Sequence, residues 1–275
     1  MKFTKMQGCG NDYIYINGME EIIENKKETV IALSDRHFGI GGDGVIFINS
    51  SEIADFEMEM YNADGSRSQM CGNGIRCVGK YVYDHHLTDK TEITVESFGS
   101  IKYLKLNVSD GFVDTVNVDM GEPELISERI PVICEKEKTI MEPIDVSGRT
   151  FYMTCVSMGK PHAVFFTDEI TDELVLKWGK TIECHPRFPE RVNAEFVTVK
   201  DRGHVNMRVW ERGTGETLAC GTGCCATAVA CVLNNLTDET VEVTVPGGKI
   251  LIEWNKANNH IYMTGPAVTV FEGEI

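Results

Sequence analysis

The sequence predicts an α/β protein of the α+β type, built as two pseudo-symmetric domains, each of mostly antiparallel strands wrapped around one central helix. Three observations predict it. One residue pattern recurs at a fixed offset, and strand-type alternation flanks each copy. In both copies that alternation gives way to helical spacing directly after a Cys-Gly-x-Gly.

The recurrence comes first. Met58-Glu59-Met60-Tyr61-Asn62 is followed nine residues on by Cys71-Gly72-Asn73-Gly74, and Met207-Arg208-Val209-Trp210-Glu211 is followed nine residues on by Cys220-Gly221-Thr222-Gly223. Cys220 lies 149 positions after Cys71, and Gly248 lies 149 positions after Gly99 within a matching turn. Gly8 with Asn11 is echoed by Gly159 with His162, at an offset of 151. Matches in register over most of each half imply duplication. The expected domains are 1–117 with 265–275, carrying Cys71, and 118–264, carrying Cys220. The crossing is expected within 118–141. The closing run from Gly265-Pro266 resembles Gly121-Glu122-Pro123, which predicts a last strand returning to the first domain.

Each element has its own signature. Phe56-Glu57-Met58-Glu59-Met60 alternates apolar and acidic, as a half-buried strand does. Val116, Val118 and Met120 alternate likewise, as do Val205, Met207 and Val209, and Val241, Val243 and Val245. Ile75, Val78 and Val82 then follow helical spacing. Residues 224–233 are apolar almost all round, which marks a helix buried within its domain. Asn234-Asn235 offers its stop.

Composition narrows the function. In 275 residues, 42 acidic side chains face 26 basic ones, a formal charge of −16. Such a surface repels phosphate backbones and anionic lipid heads, so neither nucleic acid nor membrane is an expected partner. The segment from Met1 to Gly8 lacks the apolar core of a secretory signal, and no apolar run is long enough to span a bilayer. A cytoplasmic location follows as an expectation. Thiols stay reduced there, so the ten cysteines are core residues, ligands or nucleophiles.

Two of them stand apart. Burial as a small hydrophobe is the reading for Cys9, Cys77, Cys134, Cys155, Cys184, Cys224, Cys225 and Cys231. Cys71 and Cys220 each begin a helix with glycines alongside. Unpaired N–H groups and the helix dipole favour negative charge there, which suits either a thiolate or a bound carboxylate. Two such sites suit inversion of an α-carbon, in which a thiolate removes a proton from one face and a thiol returns one to the other. The N–H groups would stabilise charge spreading onto the carboxylate. No pyridoxal phosphate is needed, so no cofactor and no metal are expected.

Two glycine motifs fail on context. Gly39-Ile40-Gly41-Gly42-Asp43-Gly44 has dinucleotide spacing but leads into the strand-like Val45-Ile46-Phe47-Ile48 rather than a helix. The stretch from Gly74 to Lys80 has phosphate-loop spacing, but Tyr81 stands where a Ser or Thr would hold magnesium.

Taken together, several motifs in order resemble the diaminopimelate epimerase family over nearly the whole chain. They are Gly8-Cys9-Gly10-Asn11-Asp12, Tyr61-Asn62-Ala63-Asp64-Gly65-Ser66, Met70-Cys71-Gly72-Asn73-Gly74-Ile75-Arg76-Cys77, Val156-Ser157-Met158-Gly159 and Pro161-His162. Arg191-Val192-Asn193, Trp210-Glu211-Arg212-Gly213 and the run from Gly215 to Gly223 complete the set. The resemblance implies the family's fold, and conversion of LL-2,6-diaminopimelate to the meso isomer for lysine and peptidoglycan synthesis. It makes Cys71 and Cys220 the two acid/bases, with His162 and Glu211 tuning them and contacting the reacting amino group. It gives the substrate carboxylate to Gly72, Asn73, Gly221 and Thr222. Asn11, Asn62, Asn193 and Arg212 hold the rest of the substrate, and a homodimer is implied.

Two positions bear on substrate choice. Lys160 stands where the family usually has an asparagine that helps bind the distal end, and Gly44 where some relatives have glutamine. A racemase of another amino acid, such as histidine, is the alternative on the same scaffold. A thiol redox or metal-binding protein is the alternative from a different class.

Overall fold

In the computed structural model, residues 1–68 and 71–275 are described; Gln69 and Met70, the latter part of the motif around Cys71, lie outside the described residues. The chain divides into two compact units, Met1–Asp119 with Thr264–Ile275, and Met120–Met263.

The first unit runs β1 (Lys2–Gly8), β2 (Asn11–Asn17), α1 (Lys26–Ser34), β3 (Gly44–Asn49), β4 (Phe56–Asn62) and β5 (Arg67–Ser68). Then come the central helix α2 (Gly72–Asp84), β6 (Glu92–Ser97), β7 (Ser100–Ser109) and β8 (Phe112–Gly121). The second unit continues with β9 (Glu142–Val146), β10 (Arg149–Ser157) and β11 (Pro161–Phe166). A π-helical stretch, Glu173–Gly179, leads into α3 (Lys180–Glu183). β12 (Asn193–Asp201), β13 (His204–Glu211), β14 (Gly215–Thr217), α4 (Gly221–Leu233), β15 (Thr240–Val245), β16 (Gly248–Asn255) and β17 (His260–Pro266) follow. The last strand, β18 (Val268–Glu274), belongs to the first unit, where it pairs antiparallel with β1.

Pairing repeats between the units. β1 and β2 are antiparallel, β2 and β3 parallel, β3 and β4 antiparallel, and β4 and β6 parallel. β10, β11, β12, β13 and β15 follow the same sequence of directions. Most pairs are antiparallel, as the alternation predicts. The parallel pairs need crossovers, and helices supply them. The π-helical stretch with α3 carries one, and α2 and α4 carry two others.

Alternation turns into burial as expected. Phe56, Met58 and Met60 are buried while Glu57 and Glu59 lie on the other face, and Val205, Met207 and Val209 do the same in β13. α4 carries no charged side chain and is buried from Gly223 to Cys231. Its β-branched and cysteine residues cost up to roughly 0.7 kcal/mol each in helix propensity. Each fully buried valine returns roughly 1.5–3 kcal/mol, so packing decides the helix. Asn234 caps its end and Asn235 takes a positive φ of 56°, which is the predicted stop.

In the second unit the strand faces divide the work. Ala163, Phe165, Ala194 and Phe196 join a core with Leu174, Val175 and Ile182. By alternation, His162, Asn193 and Glu195 lie on the opposite face, and α4 packs against β11, β12 and β13. Among the described residues no helix is long and apolar enough to cross a membrane. Two cysteines expected in the core are not there. Cys184 is exposed just past α3, and Cys134 is half-buried in the loop before β9, where no helix or strand carries it inward.

Candidate active site

Both Cys-Gly-x-Gly segments fold alike, each within its own unit. Cys71 is the N-cap of α2, with φ −130° and ψ 115°, and Cys220 is the N-cap of α4, with φ −120° and ψ 109°. The extended cap turns the sulfur back over the first helical turn. Gly74 donates its backbone N–H to Cys71 Sγ at 3.3 Å. A Cβ on Gly223 would lie 3.3 Å from Cys220 Sγ and 3.0 Å from Glu195 Oε1. The second glycine of the motif therefore lets the helix backbone approach the thiol.

In the first unit, Cys71 donates to Asn11 Oδ1 at 3.0 Å, and Asn11 Nδ2 donates to Asp43 Oδ2 at 2.6 Å. Asp43 is held by Arg36 at 2.9 Å, and Arg36 also forks onto Asp12, which pairs with Lys5 at 2.6 Å. Burial works to raise the Asp12 carboxyl's pKa, but the hydrogen bonds and charges of Arg36 and Lys5 outweigh it and hold it low. Asn73 is buried, and its Oδ1 accepts from Arg76 at 3.0 Å. Arg76, fully buried in α2, also donates to the carbonyls of Gly72 and Pro266. Asn62 sits at the end of β4, its amide given to Ser66 at 3.0 Å. Opposite it in the ladder is Gly44, where a Cβ would meet the Tyr61 carbonyl oxygen at 2.0 Å, so this backbone has no room for a side chain.

In the second unit, His162 and Asn193 are directly opposed in the parallel β11–β12 ladder. His162 Nδ1 lies 2.6 Å from Glu195 Oε1, and both side chains are fully buried. Glu211 ends β13 and accepts from Thr217 at 2.6 Å. Arg212 gives its backbone N–H to Asn193 Oδ1 at 2.8 Å and a guanidinium N–H to the Glu190 carbonyl. Thr222 Oγ1 is 3.5 Å from Cys220 Sγ. Cys220 is held well above an ordinary thiol pKa by burial first and by Glu211 and Glu195 next, although Thr222 and the Gly223 N–H oppose this. At neutral pH it is a thiol. Lys160 is exposed in the turn between β10 and β11.

The sequence profile described as diaminopimelate epimerase matches residues 3–126 and 154–270. The chain belongs to the diaminopimelate epimerase family. A diaminopimelate epimerase of Acetivibrio thermocellus is 56% identical over 275 residues, covering 100% of this chain and 98% of that protein. Those of Agathobacter rectalis and Methanococcus maripaludis are 54% and 52% identical, with 100% of this chain and 99% of each relative covered. Among solved structures, a hydroxyproline epimerase from Agrobacterium vitis superposes with a TM-score of 0.68 at 13% identity, covering 100% of this chain and 90% of that one. A phenazine biosynthesis protein of the PhzF family from Bacillus anthracis gives 0.68 at 15%, with 100% and 98% covered. At such identities the likeness is one of fold alone.

Four further residues beside these candidates are not singled out by the sequence. Asp43 and Glu195 each sit behind a side chain it did identify, Asn11 and His162. Tyr13 is buried beside Cys71, and burial first and its neighbour Cys71 next push its phenol's pKa up. Arg76 braces the first turn of α2. Glu195 left a signal. It is the one charged residue in the buried run from Val192 to Val197, and such a residue needs a partner.

Proposed function

We propose that the protein interconverts LL-2,6-diaminopimelate and meso-2,6-diaminopimelate by a cofactor-independent two-base reaction of Cys71 and Cys220. One observation carries the mechanism. Both cysteines cap a central helix in the same extended conformation, with a glycine placed to admit the sulfur. Family membership carries the substrate.

The reaction balances with the two sulfurs alone. One, as thiolate, takes the α-proton and becomes a thiol; the other, as thiol, gives its proton to the opposite face and becomes a thiolate. The reverse reaction starts from the exchanged pair. The mechanism requires both sulfurs to address one α-carbon. The N–H groups of Gly72 and Asn73, and of Gly221 and Thr222, lie at helix N-termini, where a carboxylate gaining charge in the carbanion is stabilised. His162 and Glu211 take the reacting ammonium, and Asn11, Asn62, Asn193 and Arg212 the rest of the substrate. The domains 1–117 with 265–275 and 118–264 would then be working halves with one acid/base each. A homodimer in the cytoplasm is the setting that the reading implies.

The test is LL-diaminopimelate in deuterated water with reduced enzyme. Formation of the meso isomer with α-deuterium is expected. Cys71→Ala and Cys220→Ala should each lower turnover by about 10²–10⁴-fold while the circular dichroism stays native. Exchange into histidine or another amino acid, with none into diaminopimelate, would instead favour the racemase reading. The Lys160→Asn variant reports on distal recognition. A change in KM with kcat held would place Lys160 near the distal end.

A further inference from the structure

The proposed pair His162 and Glu211 leaves a third ionisable group unused. Glu195 is on β12, two residues past Asn193, and its whole side chain is buried. A carboxylate out of water costs several kcal/mol unless it is paired and hydrogen-bonded. Glu195 has one partner for one oxygen, His162 Nδ1 at 2.6 Å. Among the described residues, Glu195 Oε2 and His162 Nε2 have no hydrogen-bond partner, although both atoms are buried. A purely structural acid is an expensive choice here, because Val197, two residues on and on the same face of β12, is buried and apolar.

The surroundings are those of the chemistry. One point, the Cβ position of Gly223, lies 3.0 Å from Glu195 Oε1 and 3.3 Å from Cys220 Sγ. Burial raises the Glu195 carboxyl's pKa and Glu211 on the next strand adds to it, while the charge and hydrogen bond of His162 oppose this; Glu195 in turn raises Cys220 at the head of α4. Asn193 Nδ2 is 3.5 Å from His162 Nδ1, at the limit of a hydrogen bond, and its Oδ1 is taken by the Arg212 N–H. Glu195 is thus the strong partner of Nδ1.

We infer that Glu195 is a positioning residue for the epimerisation: as a carboxylate it accepts the Nδ1–H of His162, fixes that tautomer, and leaves Nε2 as a proton acceptor for the substrate's α-ammonium. The logic is that of any carboxylate–imidazole pair, in which an acceptor on one nitrogen decides what the other can do. The role of Nε2 rests on the proposed function; the tautomer does not.

The tautomer is read directly. In uniformly 15N-labelled enzyme, with His162→Gln used only to assign the signal, the long-range proton–nitrogen spectrum should show neutral His162 protonated on Nδ1 and bare on Nε2. A neutral ring protonated on Nε2 overturns the inference. Glu195→Leu keeps roughly the volume but removes the acceptor, and in it the Nδ1–H signature should disappear. Its kcat should fall by about 10–100-fold, with KM changed less than about threefold. An unaltered spectrum or an unaltered kcat in Glu195→Leu also overturns it. Wild-type turnover of diaminopimelate, measured alongside, tests the function separately. Its absence would sink that reading while the spectrum still decides the tautomer.

Discussion

Asp43 decides which end of the Asn11 amide faces Cys71. The carboxylate can only accept, so Asn11 must turn Nδ2 towards it, at 2.6 Å, and Oδ1 towards the sulfur, at 3.0 Å. Replacing Asp43 by Ala frees the amide to rotate. Hydrogen bonds to charged groups contribute about 1.5–3 kcal/mol, so kcat/KM should fall by about tenfold to a hundredfold. Steady-state kinetics on Asp43→Ala and Asp43→Asn check this, and activity retained in both would remove Asp43 from the site.

Gly223 and Gly74 are equivalent in the repeat but not in tolerance. A methyl at Gly223 would press on Glu195 Oε1 at 3.0 Å and on Cys220 Cβ at 3.2 Å. At Gly74 the nearest atom is Ile46 Cδ1 at 2.9 Å, the end of a side chain. Alanine gains roughly 1 kcal/mol in helix propensity at either position. Gly223→Ala should therefore lower kcat by about tenfold or more without a matching loss of melting temperature, because displaced reacting groups are costly. Gly74→Ala should be the milder of the two, as paired kinetic and thermal measurements would show.

Buried thiols make the fold sensitive to alkali. Burial pushes Cys77 up to about 11 and Cys231 to about 12, from an ordinary 9.0. The sign follows from proton counting. Between those values the unfolded chain has lost protons that the native protein keeps, so the unfolded state gains and stability falls as pH rises. Each thiol should contribute a slope of about 1.4 kcal/mol per pH unit above pH 9, up to its native pKa. Denaturant melts from pH 8 to 11 should show the decline, and Cys77→Ala should flatten it. An unchanged slope in the variant would mean that Cys77 is not the source.

Oxidation is a test of the two-base geometry. Two sulfurs serving one α-carbon should be able to reach disulfide distance. Mild oxidant should then abolish activity, with recovery in thiol reductant and a Cys71–Cys220 peptide on mass mapping. Oxidised, inactive enzyme in which both remain thiols would count against a shared α-carbon.

The two helix starts were legible because Cys-Gly-x-Gly is local chemistry. A cap, a glycine and a switch from strand to helical spacing all fall within a few residues. The strands around Met58 and Met207 were legible for the same reason. α1 and the helices at 173–183 were not, since the hydrophobic pattern of α1 is weak and the second segment opens as a π-helix. Cys71, Cys220, His162 and Glu211 could be chosen from the sequence. Asp43 and Glu195 could not, because each matters through a partner 32 or 33 positions away that only the folded ladder brings near.

Arg76 ties the run into the last strand to the helix that Cys71 caps. Its guanidinium is always charged, and one of its acceptors is the Pro266 carbonyl, just ahead of the final strand. Trimming the C-terminus back past Gly265 would take that acceptor from a buried guanidinium beneath the first turn of α2. The tail is thus a structural keystone for a cysteine nearly two hundred residues upstream, since β18 also pairs along the length of β1, and clipping there should lower melting temperature and turnover together.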